Sequence, residues 1–465
     1  MAESHQRLCL DALNGETISN SITSLSSRPQ KFQDGTLATL KAPINRLPNE
    51  VLFEIFAISV FTLPSYMASS LDLSSAPWLL TRICKLWRDI ALSNSQLWST
   101  FNIHLDPHYS QFFPTSRLAK VHLERSRPCD LSIHANFSPY PHYSSHPIFS
   151  LILKHSERWK SVRFDHACHW ALSEICVTKP DYPLLKELHL LYGYNQLATL
   201  DGFRNAPLLY SLSIDGFRLE YPSPTSHVGF PYHQITKLVV SRTPLQEVVR
   251  VMGRMPILEE CVFNNCLHVN GFSNEAGRIR LPCLALLRLG TYYTNQTGQD
   301  QLEILKILLA PKLVELSIEM AETNIKECLQ AFFCQSFPHI EKLVLCYSAV
   351  SSSVIDGATI LGILWRVPTL RKLQMGGFIL DDELLNEIFS LTTTPYSTLV
   401  PCPVLESLDF HGFLDKRGNF FRTIILPQMN NGHLLDPLRL IHRVFVSWLA
   451  PMKLIECSVK SSTLE

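Results

Sequence analysis

Three clusters in this 465-residue chain carry side chains that could bind a metal or activate a nucleophile. The densest is Asp165-His166-Ala167-Cys168-His169 with Cys176. It supplies carboxylate, imidazole and thiolate, the groups that hold zinc. Its spacing matches no zinc module, and His166 and Cys168 follow an alternating stretch that reads as a strand, so both are assigned to turn and core. Cys261, Cys266 and His268 form a second cluster, but Cys261 fills an apolar slot of a repeat and is assigned to core. His134, His142 and His146 form a third, read as surface histidines of a polar loop. There is no Gly-rich phosphate loop closing on Lys-Ser/Thr, no His-Glu-x-x-His and no Gly-x-Ser-x-Gly. The expectation is a non-catalytic protein with no cofactor and no metal.

What remains is binding chemistry, and a repeat must position it. The block Pro-x-Leu-x-x-Leu-x-Leu opens at Pro183, Pro207, Pro256, Pro282, Pro311, Pro338, Pro368 and Pro403. Copies without the proline run Trp159-x-x-Val162-x-Phe164 and Ile235-x-x-Leu238-x-Val240, giving ten in all at intervals of 23 to 35 residues. Leu454-x-x-Cys457-x-Val459 is a weak eleventh. A fixed block returning at this period marks a solenoid. Alternating apolar residues point into a common core and the residues between them face outward. The segments Leu245 to Met255, Gln301 to Ala310, Ile325 to Ser336 and Ile355 to Val367 read as return helices, each ending just before the next block. Asp381 to Phe389 falls where another is due. The block resembles the strand half of a leucine-rich repeat, without its regular asparagine. The fold class expected is α/β: a small all-α domain followed by a parallel strand array with return helices.

On that array His189, Ser213, Arg288, Ser317, Gln374 and Asp409 are outward strand positions. Tyr192, Tyr194, Phe217, Arg218, Tyr292, Tyr293, Tyr347, Phe378 and His411 fall in the turns that follow. Tyrosine and arginine are enriched among interface anchors, and solenoids use such surfaces for binding. As a set, these residues are the candidate face for a partner protein.

Upstream, Pro48 suits a helix start, and Val51, Leu52, Ile55 and Phe56 follow it in one apolar stripe. Pro77 opens a second helix with Leu79, Leu80, Ile83, Cys84, Trp87, Ile90 and Ala91 on one face. About 50 residues of this kind are marginal as an isolated domain. Their apolar faces must meet the rest of the chain or a partner's groove. The run Leu47-Pro48-x-Glu50-Val51-Leu52-x-x-Ile55-Phe56, then Ile83-Cys84-Lys85-Leu86-Trp87-Arg88-Asp89-Ile90-Ala91, then Leu97-Trp98 resembles the F-box. The likeness is closest to the large F-box set of mushroom-forming fungi, whose motif is often split by an insertion like Phe61 to Ser75.

The resemblance implies the substrate-recognition subunit of a Skp–cullin–F-box ubiquitin ligase. Its F-box docks a Skp-type adaptor and, through it, a cullin, while the repeats hold a substrate protein. Carried over, the adaptor contacts are Leu47, Pro48, Val51, Leu52, Ile55, Phe56, Ile83, Cys84 and Trp87. Some of these, with Ile90, Leu97 and Trp98, must pack the domain's own interior, and sequence does not divide them. Two other readings are a leucine-rich scaffold independent of ubiquitin, and an enzyme using the cluster near His166, which predicts bound metal.

Composition bounds these readings. Hydrophobic residues make up 46% and charged residues 18%, a globular balance. Lys+Arg and Asp+Glu number 41 each, which argues against a nucleic-acid footprint. No apolar run approaches the ~18 residues of a membrane span, and the N-terminus lacks signal-peptide order. Thirteen scattered cysteines suit buried thiols of a reducing compartment, cytoplasmic or nuclear. The expected organisation is a flexible or partly helical lead-in at 1–42 and an F-box at 43–100. A strand-containing connector or cap follows at 101–156, then a divergent leucine-rich solenoid at 157–465.

Overall fold

The computed structural model describes residues 43–62, 69–105, 112–137, 146–166, 169–191, 201–217, 230–266, 277–290, 302–320, 325–336, 338–347, 357–376, 402, 404–414 and 420–425. The lead-in and the helix expected at Asp381 to Phe389 lie outside them. The chain divides into two compact units between Thr243 and Pro244. The architecture is α/β, with parallel strands and return helices in each unit.

The first unit begins with a 3-10 turn, Pro43–Arg46, and helix α1, Asn49–Phe61, with Pro48 as its N-cap. The second helix expected from Pro77 is instead two: α2, Leu80–Ile83, and α3, Lys85–Ser93. Cys84 is extended between them. No glycine or proline marks this break. Arg88 Nε spans it, donating to the Thr81 carbonyl at 2.7 Å. A 3-10 turn, Ser95–Trp98, leads into strand β1, Thr100–Leu105.

Helix α4, Phe112–Arg125, follows. Leu52, Phe56, Trp78, Leu80, Ile90, Ala91, Leu97 and Trp98 form one apolar core, closed by Leu118 of α4. The hairpin therefore has no complete interior without the segment downstream. The Trp78 and Trp98 rings meet edge-on, 5.0 Å apart at 87°. Each indole N–H is satisfied, Trp78 by the Ser70 carbonyl (2.7 Å) and Trp98 by that of Ala91 (2.8 Å). The Arg125 guanidinium lies over both rings, 4.8 and 4.7 Å from their centroids, a favourable cation–π placement.

Strand β2, Leu131–Phe137, helix α5, Pro147–Leu153, strand β3, Trp159–Asp165, and helix α6, His169–Thr178, come next. Strands β4, Glu187–Leu191, β5, Ser211–Asp215, and β6, Lys237–Ser241, complete the unit's sheet. The order is β1-β2-β3-β4-β5-β6 and every pair is parallel. The 101–156 stretch, expected as a connector or cap, supplies two strands and two helices of this same array. It lacks the proline-led block by which the later repeats are recognised. The free edge of β1 is strapped by the segment between the two halves of the hairpin. Ser70 N–H donates to the Asn102 carbonyl (2.8 Å), and Asn102 N–H donates to Ser70 Oγ (2.8 Å). Covering an edge in this way removes a template for unwanted strand pairing.

In the second unit helix α7, Leu245–Met252, precedes strands β7, Glu260–Asn264, β8, Ile279–Arg280, and β9, Leu286–Gly290. The helix expected at Gln301 to Ala310 shortens to α8, Ile304–Ile307, because Leu308–Leu309 leave it as strand β10 and pair with β8. Then come β11, Glu315–Met320, α9, Ile325–Ser336, β12, Lys342–Tyr347, α10, Gly357–Leu364, and β13, Lys372–Gly376. Strands β14, Ser407–Leu414, and β15, Phe420–Ile425, close the described part. The order is β7-β9-β11-β12-β13-β14-β15, parallel except for the last pair.

All ten repeat blocks, including the two without proline, supply a strand; the weak eleventh at Leu454 lies outside the described residues. The proline does more than stop a helix. It takes the second position of a four-residue turn closed by the leucine after it, as Leu185 N–H to Tyr182 O, Leu209 to Ala206, Leu258 to Met255 and Leu370 to Val367. Its fixed φ suits that position. Tyr182, Ala206, Met255 and Val367, the residues before these prolines, are all buried. In the first unit Trp159, Tyr182, Phe203 and Phe230 stack in sequence, with centroids 5.4, 5.4 and 6.1 Å apart. The rings meet at 33°, 28° and 9°, so the last two pairs lie face to face, and each ring ties its turn to the next.

Candidate functional site

The candidate surfaces are the helical hairpin and the outward side of the strands in each unit. Of the residues assigned to an adaptor, Leu52 (0% exposed) and Phe56 (1%) are core. This corrects the expectation for both. They line the stripe of α1 that faces α3, where the Phe56 ring meets Trp87 at 4.9 Å. The neighbouring stripe is open: Val51 (42%), Ile55 (37%) and Ile58 (59%) lie at helical spacing, with Leu47 and Pro48 exposed ahead of them. Ile83 (51%) and Leu79 are exposed in the second half of the hairpin. Cys84 and Trp87 are half-buried. Trp87 serves structure at least as much as contact, since its Nε1 donates to Asn45 Oδ1 at 2.8 Å and so anchors the turn ahead of Leu47-Pro48.

The second surface is the polar side of the sheet. Its rows follow from register. Asn102, His134, Arg163, His189, Ser213 and Val239 are successive cross-strand neighbours on β1 to β6. In the second unit the equivalent row is Val262, Arg288, Ser317, Val344, Gln374 and Asp409. All six outward positions taken from the repeat pattern fall on these two rows. Arg288 Nη2 pairs with Glu315 Oε1 (3.0 Å), which also receives Lys342 Nζ (3.1 Å).

The turn residues fare differently. Phe217 is buried, and its carbonyl accepts from Thr243 Oγ1 (3.1 Å), so it packs the core and leaves the candidate set. Tyr347 is the last residue of β12, two along from buried Leu345, and His411 lies within β14 in register with Gly376; neither is a turn residue. Tyr192, Tyr194, Arg218, Tyr292, Tyr293 and Phe378 lie outside the described residues.

His134, on the first row, and Asp165, the last residue of β3, escaped the sequence reading. His134, expected on a loop surface, is in β2 and buried, its Nε2 2.8 Å from Asp165 Oδ2. Asp165 receives Arg163 Nε on Oδ1 at 3.0 Å. Burial opposes ionisation of Asp165, but the His134 and Arg163 hydrogen bonds outweigh it and hold the carboxyl below its usual range. The signal was present: Arg163 occupies the slot of its repeat that His189 occupies in the next. His146 is also buried, as N-cap of α5, where burial pushes its pKa down to about 4. His142, Cys168 and His268 lie outside the described residues. Among the described residues no group of three or more His, Cys, Asp or Glu is placed to hold a metal ion. No helix among them is long and apolar enough to cross a membrane.

No protein-family model matches this chain, and a search of curated proteins finds no match either.

Proposed function

We propose that the chain is the target-recognition subunit of a Skp–cullin–F-box ubiquitin ligase, acting in the cytoplasm or nucleus. The hairpin, as an F-box, docks a Skp-type adaptor and through it a cullin. The sheet's polar face, as a leucine-rich-repeat surface, holds a target protein for a separate ubiquitin-conjugating enzyme. The chain itself then has no catalytic step to perform. It raises the effective concentration of target beside the transfer machinery.

The observation that carries this reading is the division of labour within the hairpin motif. Leu52, Phe56, Ile90, Leu97 and Trp98 close the interior, while Leu47, Val51, Ile55 and Ile83 of the same motif stay exposed. An apolar stripe left open beside a finished core suits a partner's groove.

The test is capture of a Skp-type adaptor and cullin by the full-length chain, with and without proteasome inhibition. Val51→Asp with Ile55→Asp abolishes capture while changing stability by no more than about 0.5 kcal/mol, because both sites are exposed. Retained capture by the folded double variant, or a stoichiometric partner without any cullin, overturns the proposal in favour of a scaffold.

A further inference from the structure

We infer that the polar face of the first unit carries a carboxylate receptor built from the Arg163 guanidinium, the His189 imidazole and the Ser213 hydroxyl. This deepens the proposed function, since it rests on that face being the target surface and names what it would recognise. The three residues are consecutive members of one cross-strand row, on β3, β4 and β5. Neighbouring strands lie about 4.8 Å apart, so three donors at that pitch can converge on one small anionic group.

Each has hydrogen-bonding capacity that the protein does not use. Arg163 spends Nε on Asp165 and, among the described residues, neither terminal nitrogen has a partner. The His189 ring and the Ser213 hydroxyl likewise take no intramolecular hydrogen bond among them. Ser213 is nonetheless buried and His189 half-buried. The Arg163 side chain is 42% exposed, and no unspent polar atom of the three is sealed from solvent, so the row can be reached from outside. Three unspent donors in one row leave a place for oxygen atoms of a ligand.

The guanidinium is also aimed. Asp165 grips its Nε side and is itself fixed from behind by buried His134. The terminal pair is left as a fork, the shape that receives a carboxylate through two parallel bonds. The nearby charges do not block the site. Asp165 is engaged as described, and Glu187 accepts from Ser161 Oγ (3.2 Å) and Tyr210 Oη (3.0 Å). Lys237 adds positive charge beside His189. With two acids and two bases close by, the balance favours a singly charged carboxylate over a dianion. The carboxylate could be a side chain of the target or its chain terminus.

Fluorescence polarisation with the full-length chain tests this. The probes are a doubly capped oligoglutamate, a doubly capped oligoglutamine, and a neutral peptide with a free C-terminal carboxylate. The oligoglutamate, the free-terminus peptide or both bind, and whichever binds identifies the source; oligoglutamine does not. Arg163→Met weakens binding roughly tenfold or more, the scale of a charge-assisted bond. Arg163→Lys, which keeps the charge and loses the fork, weakens it comparably, and decides the matter if the methionine variant unfolds in urea controls. Lys237→Gln changes little. Equal binding of oligoglutamine, equal losses from Arg163→Lys and Lys237→Gln, or no carboxylate binding at all overturns the site. Adaptor capture from the same samples separates the two conclusions. A chain that binds carboxylate but no adaptor loses only the ligase reading, and one that binds adaptor but no carboxylate loses only this site.

Discussion

His122 stands where the hairpin, β1 and α4 meet. It is fully buried, its ring centroid 5.2 Å from that of Trp98 and 5.1 Å from that of Phe101, and Nε2 lies 3.1 Å from the Thr100 carbonyl. Burial pushes its pKa down to about 4, helped by the positive charge of Arg125 and opposed by its backbone hydrogen bonds. The sign of the consequence is fixed. As pH falls below the ordinary value of 6.5 the unfolded chain takes up a proton that the folded chain refuses. Stability is therefore full above 6.5, declines between 6.5 and about 4, and is lost below. The loss is on the order of 3 kcal/mol for this one residue. Urea midpoints at pH 7 and pH 5 measure it. The wild-type chain is weaker at pH 5, and His122→Asn shrinks the difference. Equal shrinkage from replacing exposed His233 would show that the effect is not local.

Among the elements, the segment between the hairpin's halves gains the clearest role. In the sequence it is an interruption of a motif; in the fold, Ser70 straps β1 and receives the Trp78 indole. Ser70→Ala removes the hydroxyl bonds to Asn102 N–H and the Thr100 carbonyl. It lowers stability by about 1–2 kcal/mol in a urea melt, and light scattering rises on warming as the β1 edge opens. An unchanged melt would mean the strap is ornamental. Nothing in Ser69-Ser70-Leu71 advertises this, because edge capping depends on a strand some thirty residues away. The strands of the repeat blocks were legible, since period-two alternation, usually with a leading proline, repeats too often to be accidental; β8, β10 and β15 carry no such block. The hairpin's apolar residues were legible as a set but not as two sets. Val51-Ile55 and Leu52-Phe56 are adjacent stripes of one helix, and only the position of α3 decides which is covered. The same limit applied to Phe217, whose inward turn depends on tertiary packing.

At the scale of the whole molecule the cysteines report on the integrity of the core. Cys261, Cys328 and Cys402 are buried, while Cys334 is exposed. Burial raises the Cys261 thiol well above its ordinary range and pushes Cys402 up to about 12. Thiolate is the reactive form, so a charged alkylating reagent modifies Cys334 well before these three, as peptide mass mapping shows. Matching rates would indicate a core that breathes open. One further property follows from Leu118, the α4 side chain that completes the hairpin's interior. During synthesis the Leu-Pro motif leaves the ribosome long before that residue does. Until Leu118 arrives, the open stripe of α1 has no finished core behind it, so a stalled or truncated product holds the hairpin only loosely. Consolidation of the hairpin is thereby deferred until the first strands of the sheet are under construction.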